Sequence, residues 1–462
     1  MKIILAGAGK LGFKLAEELV AENIDVTIVD KDVDVIKTVN NAIDVLTVKA
    51  NVLDFETLKE LDIDTFDILI ATTENDETNI LTCAIAKRLG CKSTIARVRD
   101  PELDIQRDLL KQTMGIDLII NPEKETATSI FKYLMKRYGS LTDSLAHGLV
   151  KLVDFKITGE NDLIGKTLAE IDTFKNLLVT AISRNGLMIV PDGSTSLEID
   201  DVIYLIGKSA DIDSFYKHNT DFKSHGLVNR VMIMGGGNVG LYLADMLCES
   251  GLDVTIVEID EKKCRELKQL LPHCLIINGD ATDPKLLEDE DISEMDAFVG
   301  LTGFDEQNLL MALTAKHYGV GKVVAKISRP NYTRVVDKLY IDAAFNPAYI
   351  TASNILKRVR GGRAVSVYLM LGGEAEVLEI KLDKELDVLN KSLKELNLPK
   401  GIIIGSVVEH GKAIIPNGDT VLRKHQKIII FCLKDNVSTV KRIFMPKPEE
   451  KGGILREFWR SI

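Results

Sequence analysis

Short apolar runs alternate with stretches of helical periodicity from the first residues onward. Ile3 to Leu5, Val26 to Val29, Val45 to Val48, Ile68 to Ala71, Thr94 to Val98 and Leu118 to Ile120 read as six strands. They are nearly continuous in apolar residues, as parallel strands are when helices cover both faces. A helix follows each strand, one beginning at Lys10 and another near Asn75. Asn121-Pro122-Glu123 supplies a cap residue, a proline for the first helical position and an acid for the first turn, so the last helix is expected to start there. Beyond it the pattern changes to period two. Val153, Phe155 and Ile157 alternate with Asp154 and Lys156, and Asn185-Gly186 sits between two apolar runs as a hairpin turn would.

The whole pattern then occurs again. IILAGAGKLG from Ile3 lies over VMIMGGGNVG at an offset of 228, as does VTIVD ending at Asp30 over VTIVE ending at Glu258, and one residue further out of step Asp76, Glu77 and Asn79 lie over Asp305, Glu306 and Asn308. Asn346-Pro347 repeats Asn121-Pro122, and His410-Gly411 stands where Asn185-Gly186 does. The length of 462 residues suggests about three domains. The duplication revises that to four: two Rossmann-like α/β units with parallel sheets, each followed by a small α+β domain. The expected boundaries are 1–135, 136–220, 228–358 and 359–446, with an amphipathic tail over 447–462 carrying the only Trp, expected to dock on the protein's own body.

Charge and composition narrow the function. With 58 Lys and Arg against 69 Asp and Glu the net charge is −11, which argues against nucleic acid or an anionic lipid surface as partner. No run approaches the ~18 apolar residues of a membrane helix, and the opening segment reads as a strand rather than a signal peptide. Six scattered cysteines without a CxxC pair are expected to be reduced thiols of the cytosol, and no metal site is indicated.

The chemistry lies in the glycine loops. Gly7-Ala8-Gly9-Lys10-Leu11-Gly12 follows a strand and opens a helix, with Asp30 at the end of the next strand. Gly7 allows the turn, Gly9 lets a pyrophosphate approach, Gly12 permits close helix packing and Asp30 can accept from ribose hydroxyls. Gly235-Gly236-Gly237-Asn238-Val239-Gly240 with Glu258 repeats the set. An acid at this position disfavours a 2′-phosphate. Asp280 and Ala281 belong to a loop suited to adenine, and Asn51 and Val52 to its counterpart, which lacks the glycine. Thr73 and Thr302 lie at the carboxyl edge of the sheet. Arg97 and Lys326 stand inside fifth-strand sequence, where a phosphate or an internal carboxylate could balance them. No GxxxxGK[ST], GxSxG or repeated acid/base constellation is present, so the residues read as binding without catalysis. A dehydrogenase of a small substrate is the alternative and lacks an identifiable catalytic group.

The order of α/β unit and small β-rich domain, twice, with GAGKLG and Asp30, ATTENDETN, ARV and INPEKETA, resembles the RCK family, the regulators of potassium conductance. The resemblance spans the chain to about Met445. It implies a cytosolic regulatory subunit that binds NAD(H) and ATP or ADP in its N-lobes. It further implies a homo-oligomeric ring, a tetramer of eight RCK units, on the inner face of the cell membrane beneath a membrane-embedded Trk potassium-translocating subunit. The site it implies comprises Gly7 to Leu11, Asp30, Asn51, Val52, Thr73 and Arg97, and in the second copy Gly235 to Val239, Glu258, Asp280, Ala281, Thr302 and Lys326.

Overall fold

In the computed structural model, residues 1–21, 23–135, 142–158, 162–174, 176–184, 187–219, 228–329, 332, 339, 341–359, 364–370, 375–382 and 386–445 are described. The first lobe runs β1 (Lys2–Ala6), α1 (Lys10–Ala21), β2 (Asp25–Asp30), α2 (Val33–Ala42), β3 (Leu46–Lys49), α3 (Phe55–Glu60), β4 (Ile68–Ala71), α4 (Asp76–Arg88), β5 (Ser93–Arg97), α5 (Pro101–Ile105), α6 (Arg107–Met114), β6 (Leu118–Ile120) and α7 (Pro122–Leu134). Its parallel sheet has the order β3-β2-β1-β4-β5-β6, so the strand order reverses between β1 and β4, where α/β sheets bind ligands. The expected starts hold because side chains cap them. Asn75 accepts from Thr78 N–H and Asn121 from Lys124 N–H, with Pro122 in the first turn.

The small domain that follows contains β7 (Thr142–Leu145), β8 (Val150–Lys156), β9 (Leu177–Arg184), β10 (Leu187–Ile189), β11 (Val202–Lys208) and α8 (Ser209–Asn219), in an antiparallel sheet of order β10-β9-β11-β8-β7. Strands β9 and β10 pair as a hairpin on either side of Asn185-Gly186, which itself lies outside the described residues, as do the tail and most of the segment joining the halves.

The second half repeats both units: β12 (Arg230–Met234), α9 (Asn238–Glu249), β13 (Asp253–Glu258), α10 (Glu261–Leu270), β14 (Leu275–Asn278), α11 (Pro284–Asp289), β15 (Ala297–Gly300), α12 (Asp305–His317), β16 (Lys322–Lys326), β17 (Ala343–Phe345) and α13 (Pro347–Val359), then β18 (Ala364–Met370), β19 (Ala375–Lys381), β20 (Ile402–Glu409), β21 (Lys412–Ile414), β22 (Lys427–Leu433) and α14 (Val437–Phe444). The sheet orders are β14-β13-β12-β15-β16-β17 and β18-β19-β22-β20-β21. His410 and Gly411 both take positive φ, 47° and 74°, the requirement of a two-residue type I′ hairpin.

Two packing features go beyond the sequence pattern. The alternation along β8 suggests one wet face, yet Asp154 is buried with its apolar neighbours. Val153 and Phe155 face the core of their own domain, while Leu152, Tyr204 and Ile206 meet Val377, Ile429 and Phe431 of the second small domain. The two small domains thus share a sheet-to-sheet core. The N-lobes exchange their last helices. Ala127, Ile130, Tyr133 and Leu134 of α7 pack with Leu243 and Leu247 of α9 and with β12. Reciprocally, Ala352, Ile355, Leu356 and Val359 of α13 pack with Leu11, Leu15 and Leu19 of α1 and with β1. At about 1.5–3 kcal/mol for each large aliphatic side chain buried, this exchange is a major part of what joins the halves.

Candidate nucleotide sites at the carboxyl edges of the two sheets

Each glycine of the first loop has a separate physical task. Gly7 adopts φ +99°, and a Cβ there would lie 2.8 Å from Thr73 N. A Cβ on Gly12 would stand 2.0 Å from the Gly7 carbonyl oxygen, so α1 can sit this close to the strand only without one. Around Gly9 a Cβ meets nothing within 4 Å: this glycine faces open space at the start of α1. The second loop repeats the arrangement, with Gly235 at φ +100°, a Cβ on Gly240 falling 2.3 Å from Gly235 O, and a Cβ on Gly237 meeting nothing within 4 Å. Neither Gly9 nor Gly237 can cap its helix with a side chain, whereas Asp32, Asp54, Asp260 and Asp283 cap neighbouring helices. First-turn N–H groups left for an external acceptor, beside an unfilled cradle, suit a pyrophosphate.

The acids shape the same loops. Ala8 N–H donates to Asp30 Oδ2 at 2.8 Å and Asp32 N–H to Oδ1 at 2.9 Å. Gly236 N–H and Asp260 N–H make the same contacts with Glu258, at 2.7 and 3.0 Å. Each carboxylate oxygen retains acceptor capacity for a ribose hydroxyl. Asn51 and Asp280 are exposed and form matching turns, accepting from Leu53 N–H at 3.1 Å and Thr282 N–H at 2.9 Å. Donation from Thr282 holds the Asp280 carboxyl below its usual range. Leu11, Val52, Val239 and Ala281 are core residues, so at these positions the backbone alone is available to a ligand.

Thr73 and Thr302 are held by two residues that the sequence reading did not place in the site. The buried Asn79 accepts from Thr73 N–H and Oγ1–H, at 2.8 and 2.7 Å, and donates to the Thr73 and Arg97 carbonyls at 3.1 and 2.9 Å. Asn308 does the same for Thr302 and Lys326. Asp76 accepts from Arg99 and Asp100 N–H, and Asp305 from Ser328 and Arg329 N–H. Their recurrence in both copies was the available signal.

Arg97 donates through Nη1 to Thr73 O at 3.0 Å, while its buried Nε has no partner. Burial pushes the guanidinium down, aided by Arg99 and opposed by Glu123. Burial likewise lowers Lys326, with Asp305 and Glu123 opposing and Lys10 adding to the shift. Among the described residues neither cation has a carboxylate in direct contact: the Glu123 ion pair at 3.1 Å is with Arg99. Side-chain hydrogen bonds between the halves place the site mouths near one another. Asn238, opening α9, donates to Arg99 O of the other lobe at 3.2 Å, and Asn121 to the Tyr242 hydroxyl at 3.0 Å.

Comparison with known proteins agrees with this duplicated architecture. The TrkA-N domain model matches residues 3–122 and 231–347, and the TrkA-C domain model residues 152–219 and 377–445. The chain is 31% identical over 455 residues to the Trk system potassium uptake protein TrkA homolog 1 of Methanosarcina mazei, covering 96% of this chain and 100% of the relative. It is 33% identical over 463 residues to the Trk system potassium uptake protein TrkA of Vibrio alginolyticus, covering 97% and 99%. In fold it resembles the GsuK channel bound to NAD, with a TM-score of 0.58 at 17% identity over 96% of this chain and 78% of that one. The isolated GsuK RCK domain gives the same TM-score over 96% and 94%. Among the described residues no helix is long and apolar enough to cross a membrane. Two glycine-loop lobes, two small antiparallel domains and full-length similarity together establish that the chain belongs to the TrkA family of tandem TrkA-N/TrkA-C (RCK) proteins.

Proposed function

We propose that the chain is a cytosolic, nucleotide-sensing regulatory subunit of a Trk-type potassium transporter, binding NAD(H) and ATP or ADP without turning them over. The working units are the N-lobes 1–135 and 228–358 and the C-lobes 136–220 and 359–446. The observation that carries the reading is the pair of open cradles at Gly9 and Gly237, each beside an acid already holding the loop. The Gly7–Leu11 and Gly235–Val239 backbones would take the pyrophosphate, Asp30 and Glu258 the ribose, and Asn51 and Asp280 the adenine edge, with Thr73, Arg97, Thr302 and Lys326 at the phosphate side. The nucleotide supplies a charge and shape difference between states and no chemistry. It can shift a ring only by its difference in affinity between two ring shapes. Titration of NAD(H) and ATP into the purified protein, with absorbance followed for NADH consumption, tests this. Binding without consumption, and co-purification of a membrane potassium-translocating subunit, are expected; steady oxidation of NADH would favour a dehydrogenase.

Asp30→Ala should weaken NAD(H) more than ATP, because the acid on the ribose matters most for a ligand anchored through two nucleosides. Calorimetry on Asp30→Ala and Asp30→Asn checks this, the Asn variant retaining an acceptor for Ala8 N–H. Equal losses for both ligands would refute the preference.

Assembly into a peripheral ring has a candidate surface. Leu81 on α4, Ile105 on α5 and Leu109 on α6 are 49, 85 and 58% exposed, and Phe304 and Leu310 at α12 are 65 and 61% exposed. Large apolar side chains left out on corresponding faces of both lobes suit contacts between copies. Leu81→Asp with Leu310→Asp is expected to reduce the assembly to smaller species in sedimentation while each chain stays folded; an unchanged sedimentation profile would move the interface elsewhere.

A further inference from the structure

Lys14 and Glu18 lie one turn apart on α1, the helix that begins at the first glycine loop, and both are buried. Lys14 Nζ stands 2.7 Å from Glu17 Oε2 and 2.7 Å from Glu18 Oε1. It also lies 4.6 Å from the centre of the Tyr349 ring on α13. The Glu18 side chain is 3% exposed, and its Oε1 has a second cation 3.7 Å away, the ammonium of Lys434. Lys434 belongs to the second small domain, in the turn between β22 and α14. Among the described residues Glu18 Oε1 accepts no hydrogen bond of good geometry. Two ammonium groups therefore balance this buried charge, one from its own helix and one from the far end of the chain. Burial opposes the charge on Lys14, and Glu18 with Glu17 outweighs it, raising the pKa of the ammonium.

The duplicate provides the comparison. Tyr242, Asp245 and Met246 of α9 stand where Lys14, Glu17 and Glu18 do, and Ser209 and Lys124 where Lys434 and Tyr349 do. The helix packing is kept: a cation again lies over a ring with the partners exchanged, Lys124 being 5.7 Å from the centre of the Tyr242 ring. The charged link is not kept. Met246 packs against the core that α7 completes, with its sulfur 4.0 Å from Thr128 Oγ1, and Ser209 donates to the Gly148 carbonyl of its own domain at 2.5 Å. An apolar side chain therefore suffices for packing at this place on the helix. Of the two glycine-loop helices, α1 alone is ion-paired to a small domain among the described residues.

We infer that Lys14, Glu18 and Lys434 form a charged link through which the first glycine-loop site, and not the second, is coupled to the second small domain; this rests on the nucleotide reading of that site. Glu18 is about 12 Å along the helix from Lys10, so a ligand that shifts α1 carries the carboxylate with it. The acid is shielded from solvent, where charges interact more strongly than at an open surface. At 3.7 Å, Lys434 has room both to close on it and to withdraw. Coupling is reciprocal, so whatever moves the turn between β22 and α14 also changes nucleotide affinity at Gly9.

Hydrogen-exchange mass spectrometry of the full-length protein, with and without saturating NADH, tests the link. NADH is expected to change exchange rates across 434–444 by about fivefold or more. Lys434→Ser and Glu18→Met should each abolish that change while NADH-dependent protection of β1 and α1 persists. Both variants install the residue that the other half of the chain carries at the same place, one that its packing accommodates. Protection of β1 and α1 by NADH with no change at 434–444 in the wild-type protein would overturn the link and leave nucleotide binding standing. A response at 434–444 that survives in either variant would overturn it as well. Absence of NADH binding altogether would sink the nucleotide reading and the link together.

Discussion

Gly12→Ala is expected to cost the first lobe about 3 kcal/mol or more, while Gly9→Ala is expected to cost about 1 kcal/mol or less and to weaken nucleotide binding there at least tenfold. Helix propensity alone gives the opposite order. Gly12 lies inside α1, where alanine gains about 1 kcal/mol over glycine, and Gly9 is the residue before the helix, where alanine is a poor cap. The structure reverses this because a Cβ on Gly12 falls 2.0 Å from the Gly7 carbonyl and 2.9 Å from Thr72 Oγ1, whose hydroxyl already donates to that carbonyl. The helix would have to move off the strand, taking the loop with it. Gly9 has open space in the same direction, so its alanine harms only a ligand that uses the space. Thermal unfolding with NAD(H) titration separates the two. Gly9→Ala should unfold near the wild-type temperature with affinity reduced at least tenfold, about 1.4 kcal/mol. Undiminished affinity would remove the pyrophosphate from the proposed cradle, and a stable Gly12→Ala would mean that α1 can withdraw without loss.

The contrast also marks what was legible in the sequence. The parallel α/β units, the glycine turns that open their first helices and the Asn121-Pro122 helix start all depend on contacts within a few residues or within one βαβ unit, and there the pattern and the structure agree. β3 and β5 are displaced by one residue at their ends from the apolar runs, because the ladder rather than hydrophobicity ends a strand. Asn79 and Asp76 read as ordinary polar residues of a helix start. Their roles come from carbonyl and N–H groups 18 to 24 residues away, which only folding brings to them. For Arg97 and Lys326 the sequence left phosphate and carboxylate open, and among the described residues neither has a direct carboxylate contact, leaving the phosphate role to experiment. The burial of Asp154 was likewise illegible, since the second face of its sheet is covered by a domain more than 200 residues distant.

The helix exchange is the deepest of these nonlocal features, and it yields the most unusual expected result. Leu356→Ala, a change in the second half of the chain, should destabilise the first lobe by about 2–5 kcal/mol. Leu356 is fully buried among Leu11, Leu15, Leu19 and Ile3 of the first lobe, and its apolar partners Ala352, Ile355 and Val359 lie on the same side of α13. The reciprocal change, Ile130→Ala on α7, removes a side chain from the core built around α9 and β12 and should weaken the second lobe by a similar amount. Hydrogen-exchange mass spectrometry reads this directly. Leu356→Ala should lower protection in β1, β2 and α1 before β12 and β13, and Ile130→Ala should do the reverse. Loss confined to the sequence-adjacent lobe would show that each helix belongs to its own unit in solution. The physical reason for expecting the crossed pattern is that the helix whose N-terminal loop is the proposed nucleotide cradle, α1 or α9, rests on a helix from the other half. A ligand that shifts α1 must then move α13 and, through β17, the second sheet, so neither site can respond without working against the packing of the other lobe.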